Sequence, residues 1–176
     1  VPIIGPIVRR GDMFSDISGA TSVESLARDF NAALNNPNIA SILLEIDSPG
    51  GEVTGVNEFA KMIFDARGQK PIVAYVGGTG ASAAYWIASA ADEVIADASA
   101  RLGSIGVVAT VPNPDAKKAS DVQFVSSQSP RKRPNPNTES GKADIQGQID
   151  ALADVFVDAV ARNRGVSADK VLDSFG

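Results

Sequence analysis

Apolar positions fall along this chain in short blocks that alternate between continuous runs and helical spacing. Ile3 to Val8 is a short β-branched run and predicts a first strand. Thr21 and Glu24 form a capping-box pattern. Val23, Leu26, Ala27, Phe30 and Leu34 follow at helical spacing until Asn35-Asn36-Pro37 ends the helix. Ile39 to Ile46 is nearly continuously apolar, which predicts a strand covered on both faces. Asp47-Ser48-Pro49-Gly50-Gly51 reads as a turn, and a second helix runs through Val56, Phe59, Ile63 and Phe64 to Gly68. Ile72 to Val76 predicts another buried strand, Gly77-Gly78-Thr79-Gly80 a bend, and Ser82 to Ala91 a buried helix.

Further strands are expected at Glu93–Ala96, Ile105–Ala109 and Val122–Ser126, with polar, Pro/Asn/Ser-rich loops over 111–120 and 127–141. A final helix places Ile145, Ile149, Leu152, Phe156 and Val160 on one face. Strand–helix alternation with short turns predicts an α/β fold with a mostly parallel sheet. The 176 residues suit one domain, and no internal repeat or second domain is evident.

Charge and composition then narrow the chemistry. A net charge of -5 carries no electrostatic footprint for nucleic acid, and Arg131-Lys132-Arg133 is too short to supply one. The absence of cysteine removes disulfides, thiol nucleophiles and thiolate metal sites. The absence of histidine removes the Ser-His-Asp triad and most zinc sites. Acid–base chemistry must therefore use carboxylate, lysine or tyrosine. Pro71 to Ala91 is uncharged and nominally long enough to span a bilayer, but Pro71, Gly77, Gly78, Thr79, Gly80 and Ser82 break it. Val1 to Pro6 has neither the basic region nor the apolar stretch of a signal peptide.

Two strand-to-helix crossings stand out, because ligands of open α/β sheets sit beyond the carboxyl ends of strands. Gly50-Gly51, after a proline and opening a helix, leaves outward-facing N–H groups: half an oxyanion hole, or simply a tight turn. Ser82 follows a glycine-rich bend at a helix start, where the Ala83 N–H has no partner within the helix. That is the arrangement of a nucleophile with its own oxyanion donor; the competing reading is an ordinary N-cap serine. Gly78-Thr79-Gly80-Ala81-Ser82-Ala83 also satisfies G-x-G-x-x-A, with Asp97 in range as a ribose-binding acid, but a lone match of this kind is weak.

Taken in order, Asp47-Ser48-Pro49-Gly50-Gly51, Ala81-Ser82-Ala83-Ala84-Tyr85-Trp86-Ile87-Ala88-Ser89-Ala90-Ala91-Asp92 and Gly103-Ser104-Ile105-Gly106-Val107 resemble the signal peptide peptidase A family. The likeness is to its phage and prophage branch, the capsid-assembly proteases, and runs from Ile3 to about Ser167. The resemblance implies a Clp-protease/crotonase-like fold and a single peptidase domain over residues 1–176 without the family's C-terminal strand and helix. It implies a serine endopeptidase with a Ser-Lys dyad, in which Ser82 is the nucleophile and the Gly51 and Ala83 N–H groups form the oxyanion hole. Ser104 matches a position whose hydroxyl orients the lysine, although a plain turn serine fits as well. No metal or cofactor is implied. The partners implied are a peptide or protein substrate and further copies of the chain, with the site near a subunit interface. A cytoplasmic location follows, that of the bacterial host for a phage protein, while a membrane-anchored parent stays open.

The resemblance implies that the base is a lysine. A free lysine, with a pKa near 10.4, is neutral at pH 7 in only about one molecule in a few thousand. Burial or neighbouring cations must therefore depress that value. The family places its lysine shortly after the strand that here is Val122–Ser126, which selects Lys132, flanked by Arg131 and Arg133. The pattern departs from the family there: Ser129-Pro130 stands where glycine is usual, and the following acidic residue is missing. Lys142, at a helix start where the dipole disfavours a cation, is the rival. Outside the peptidases, an acyl-CoA enzyme of the crotonase type, a nucleotide-binding module and a non-catalytic assembly protein on the same fold stay open.

Overall fold

The computed structural model describes residues 1–11, 19–113, 127–128 and 133–174. The elements are β1 (Pro2–Ile4), β2 (Ile7–Val8), β3 (Thr21–Ser22), α1 (Val23–Asn35), β4 (Ile42–Ser48) and α2 (Val56–Asp65). They continue with β5 (Ile72–Ala81), α3 (Ala83–Ser89), β6 (Glu93–Ala96), β7 (Arg101–Gly103), α4 (Glu139–Arg164) and α5 (Ala168–Ser174). Val1–Gly106 with Val155–Gly176 form one compact unit, and Val107–Asp154 form a second.

The first unit is built on an all-parallel sheet in the order β1-β4-β5-β6. β7 also pairs with β5, beyond β6, so two short strands share one edge of the ten-residue β5 in series. β2 and β3 form a separate parallel pair. The expected first strand is thus two, split where Gly5 takes φ 69°.

Helices α1, α2, α3 and the end of α4 bury one face of the sheet, with Leu44, Ile46, Ile72, Ala74 and Val76 beneath them. Phe30 of α1 meets Phe59 of α2 edge to face at 6.0 Å. Every residue of α3 is buried, and Trp86 stacks on Phe156 of α4 at 4.3 Å between centroids. Arg67 ties these helices together. Its guanidinium donates to the carbonyls of Ser89, Ala90 and Ala91 at the end of α3 and of Asn163 in α4, while lying over the Phe64 ring. Burial lowers its pKa, the largest of several influences.

Several expectations shift. The α1 cap is Ser22, whose Oγ accepts from the Ser25 N–H, because Thr21 is held in β3 and its hydroxyl bonds Ile4 instead. β4 is not covered on both faces: it alternates buried and exposed from Ile42 to Ser48, and Leu43 is half exposed. The Gly77–Gly80 stretch is strand, not a bend, because β4 and β7 both pair with it. The seventh strand is Arg101–Gly103, and 105–109 is not strand: the pairing edge of β5 ends at Ala81, opposite Gly103. Of the apolar stripe on α4, Phe156 and Val160 are buried but Leu152 is not. Val122–Ser126 lies outside the described residues.

In the second unit, Thr138 opens α4, its Oγ1 accepting from the Gly141 N–H. Among the described residues, no helix is long and apolar enough to cross a membrane.

Candidate active site

Ser82 stands at the junction of β5 and α3 with φ 53° and ψ -124°, a backbone conformation that L-residues rarely adopt. Its own N–H donates to the Gly103 carbonyl at 2.8 Å, and its carbonyl accepts from Trp86 N–H, so the strained residue is held on both sides. Ser82 occupies the N-cap position of α3, but its side chain makes no cap hydrogen bond, so it does not act as an ordinary capping serine. Strand-to-helix strain of this kind turns a hydroxyl outward from the sheet edge.

The first crossing packs directly against it. A Cβ built on Gly50, which has φ 95°, would lie 2.7 Å from Ser82 Cβ and 3.0 Å from Ala83 N. Only glycine fits that approach. The turn is pinned from its other flank by Ile7, whose N–H donates to Gly50 O and whose carbonyl accepts from Glu52 N–H. Between those two bonds the Gly51 N–H meets no acceptor among the described residues, and neither does the N–H of Ala83. Among the described residues, two free donors thus belong to two turns in van der Waals contact, beside a hydroxyl that makes no cap hydrogen bond.

Ser104 follows Gly103, the acceptor for Ser82 N–H, and also has positive φ, 56°. A cavity of about 350 Å³ shares Gly103 with this elbow and is lined also by Tyr85, Leu102, Val94 and Arg164. Burial raises the Tyr85 pKa, with Arg164 opposing more weakly.

Lys132 lies outside the described residues. Lys142 is exposed in the first turn of α4, with its Nζ 2.8 Å from Glu139 Oε1. Lys142 thus stands in open solvent with a carboxylate beside it. Lys61 pairs with Asp65, and Lys70 donates to the Ala33 and Asn36 carbonyls at the end of α1.

The G-x-G-x-x-A reading loses its geometry here. Its glycines are extended in β5, the Thr79 N–H is taken by Asp47 Oδ1 at 2.9 Å, and Asp97 accepts from the Tyr75 hydroxyl. The Asp47–Thr79 bond and the Arg67 clamp had no signal in the sequence, since each depends on partners 22 to 96 residues away or on strand register.

The comparisons with known proteins bear on the family and the fold. The profile of peptidase family S49 matches residues 65–174, which takes in Ser82, Ala83, Ser104, Lys132 and Lys142 but not Gly51. The head-tail preconnector protein of Enterobacteria phage P21 is 30% identical over 177 residues, covering 97% of this chain and 35% of the relative. The capsid assembly protease C of Escherichia phage lambda is 30% identical over 180 residues, covering 99% of this chain and 41% of the relative. The chain therefore spans well under half the length of both. A solved ClpP1 variant from Listeria monocytogenes superposes with a TM-score of 0.55 at 14% identity, over 99% of this chain and 77% of that one, which establishes the Clp-protease-like fold. With the family's profile laid over more than half of its length and phage relatives along nearly all of it, this chain belongs to peptidase family S49.

Proposed function

We propose that the chain is a serine endopeptidase working through a Ser-Lys dyad, Ser82 and Lys132. The observation that carries this reading is the strained, uncapped Ser82 against which the Gly50-Gly51 turn is packed. Lys132, as neutral amine, takes the Ser82 Oγ proton while Oγ bonds to the peptide carbonyl carbon. The Gly51 and Ala83 N–H groups hold the resulting oxyanion. The Lys132 ammonium returns the proton to the leaving nitrogen as the C–N bond breaks. Water, deprotonated by the same amine, then hydrolyses the ester and frees Ser82. Ser104 orients the lysine amine.

Arg131 and Arg133, next to Lys132 in sequence, support its assignment, because neighbouring cations favour a neutral amine. The proposed substrates are peptides or phage capsid and scaffold proteins, and the proposed working form is a homo-oligomer with the site near a subunit interface. Peptidase assays and fluorophosphonate labelling of the wild type, Ser82→Ala, Lys132→Ala and Lys142→Ala test the reading. Loss of both signals in Ser82→Ala and Lys132→Ala but not Lys142→Ala is expected. Full activity in Ser82→Ala refutes the nucleophile; a dead Lys142→Ala beside a normal Lys132→Ala refutes the base.

A further inference from the structure

Strand pairing between β4 and β5 is regular up to Ile46↔Val76 and resumes at Ser48↔Gly80. Across that gap β4 supplies one residue, Asp47, and β5 supplies three, Gly77, Gly78 and Thr79. Extra residues in one strand leave backbone groups without ladder partners. Here the Asp47 side chain takes over: Oδ1 accepts the Thr79 N–H at 2.9 Å. Gly78 admits the carboxylate, since a Cβ there would sit 2.7 Å from Oδ1 and 3.0 Å from Cγ. The backbone of Asp47 is anchored separately, its carbonyl accepting from Gly5 N–H at 2.9 Å.

This bond lies at the root of both crossings. Gly51 is four residues beyond Asp47, and Ala83 is four residues beyond Thr79. We propose that Asp47 is a positioning residue: by bonding Thr79 N–H it fixes the β4 turn against the β5 turn, and so the spacing of the Gly51 and Ala83 N–H groups. The assignment rests on the oxyanion-hole reading of those groups. The chemistry asks only for an acceptor oxygen at that point, so asparagine can replace the carboxylate. A displacement of donors by a fraction of an ångström weakens stabilisation of a developing oxyanion while leaving the fold intact.

The test compares the wild type with Asp47→Ala, Asp47→Asn and Gly78→Ala, using two readouts on folded protein. The first is the backbone amide NMR resonances of Gly51 and Ala83; the second is the rate of fluorophosphonate labelling at Ser82. Asp47→Ala is expected to shift both amides and slow labelling by about tenfold or more. Asp47→Asn should keep the wild-type resonances and label within about threefold of the wild-type rate. Gly78→Ala, which crowds the carboxylate, should move in the direction of Asp47→Ala, and it carries the test if Asp47→Ala does not fold. Unmoved Gly51 and Ala83 resonances in Asp47→Ala and Gly78→Ala overturn the assignment, as does Asp47→Asn behaving like Asp47→Ala. If the wild type does not label at Ser82, the peptidase reading falls, while the amide resonances still decide the role of Asp47.

Discussion

Replacing Gly50 by alanine probes the contact on which the candidate site is built. Gly50 sits at φ 95°, and a Cβ there would come 2.7 Å from Ser82 Cβ, 2.8 Å from Ala81 O and 3.0 Å from Ala83 N. Two penalties add. A left-handed backbone costs an alanine about 1–2 kcal/mol, partly offset by about 0.4–1 kcal/mol from a stiffer unfolded chain. Overpacking against backbone atoms that cannot rotate away costs about 1–3 kcal/mol more. Gly68→Ala separates the two, because Gly68 has φ 82° and nothing within 4 Å of its built Cβ. It should lose about 1 kcal/mol, whereas Gly50→Ala should lose about 2–4 kcal/mol. At about 2–4 °C per kcal/mol, the difference in Tm between the two is on the order of 5 °C. Urea unfolding gives the free energies and scanning calorimetry the midpoints; fluorophosphonate labelling should slow in Gly50→Ala and not in Gly68→Ala. Equal losses in the two variants would refute the claim that the first turn is pressed against Ser82.

Three further outcomes are expected. Phe156→Ala removes a 1%-exposed ring stacked on Trp86 and should cost about 3–5 kcal/mol; the chain's one tryptophan should shift its emission to the red, and unchanged emission counts against the stacking. Both tyrosines of the chain have raised pKa values, Tyr75 through its hydrogen bond to Asp97 and Tyr85 through burial. Each favours the neutral phenol in the folded state, so the associated stability is complete below the ordinary tyrosine pKa and is lost as pH climbs through the raised values. Phenolate absorbance of the folded protein should therefore develop only above about pH 10, and an ordinary midpoint refutes the burial and the bond. Lys142→Ala should change stability by no more than about 0.5 kcal/mol in urea unfolding, since its partner Glu139 is an exposed i,i+3 neighbour.

The order of strands and helices was legible because apolar blocks such as Ile72–Val76 and the α1 and α2 stripes are long enough to declare their period. What escaped was decided by partners. Gly77–Gly80 has the composition of a bend, yet β4 and β7 pair with it and hold it extended. β7 is Arg101–Gly103, a weak local strand sequence placed by the free edge of β5. The Asp47 bond to Thr79 depends on an interruption of register that no local pattern encodes. At the site the reverse holds: glycine doublets and a serine ahead of an apolar helix advertise themselves, because close approach and left-handed backbone restrict which residues fit. Lys132, the expected base, lies outside the described residues, and its place after Val122–Ser126 in the family resemblance and its flanking arginines speak for it.

The backbone of Ser82 carries one more consequence. A conformation at φ 53° and ψ -124° costs a residue with a side chain about 1–3 kcal/mol, and its hydroxyl recovers nothing through capping. Ser82→Gly should then unfold at a higher temperature than the parent chain, though labelling would vanish. With Ser82 as the proposed nucleophile, durability and reactivity pull in opposite directions at this one position. A polypeptide optimised only to stay folded would carry glycine there.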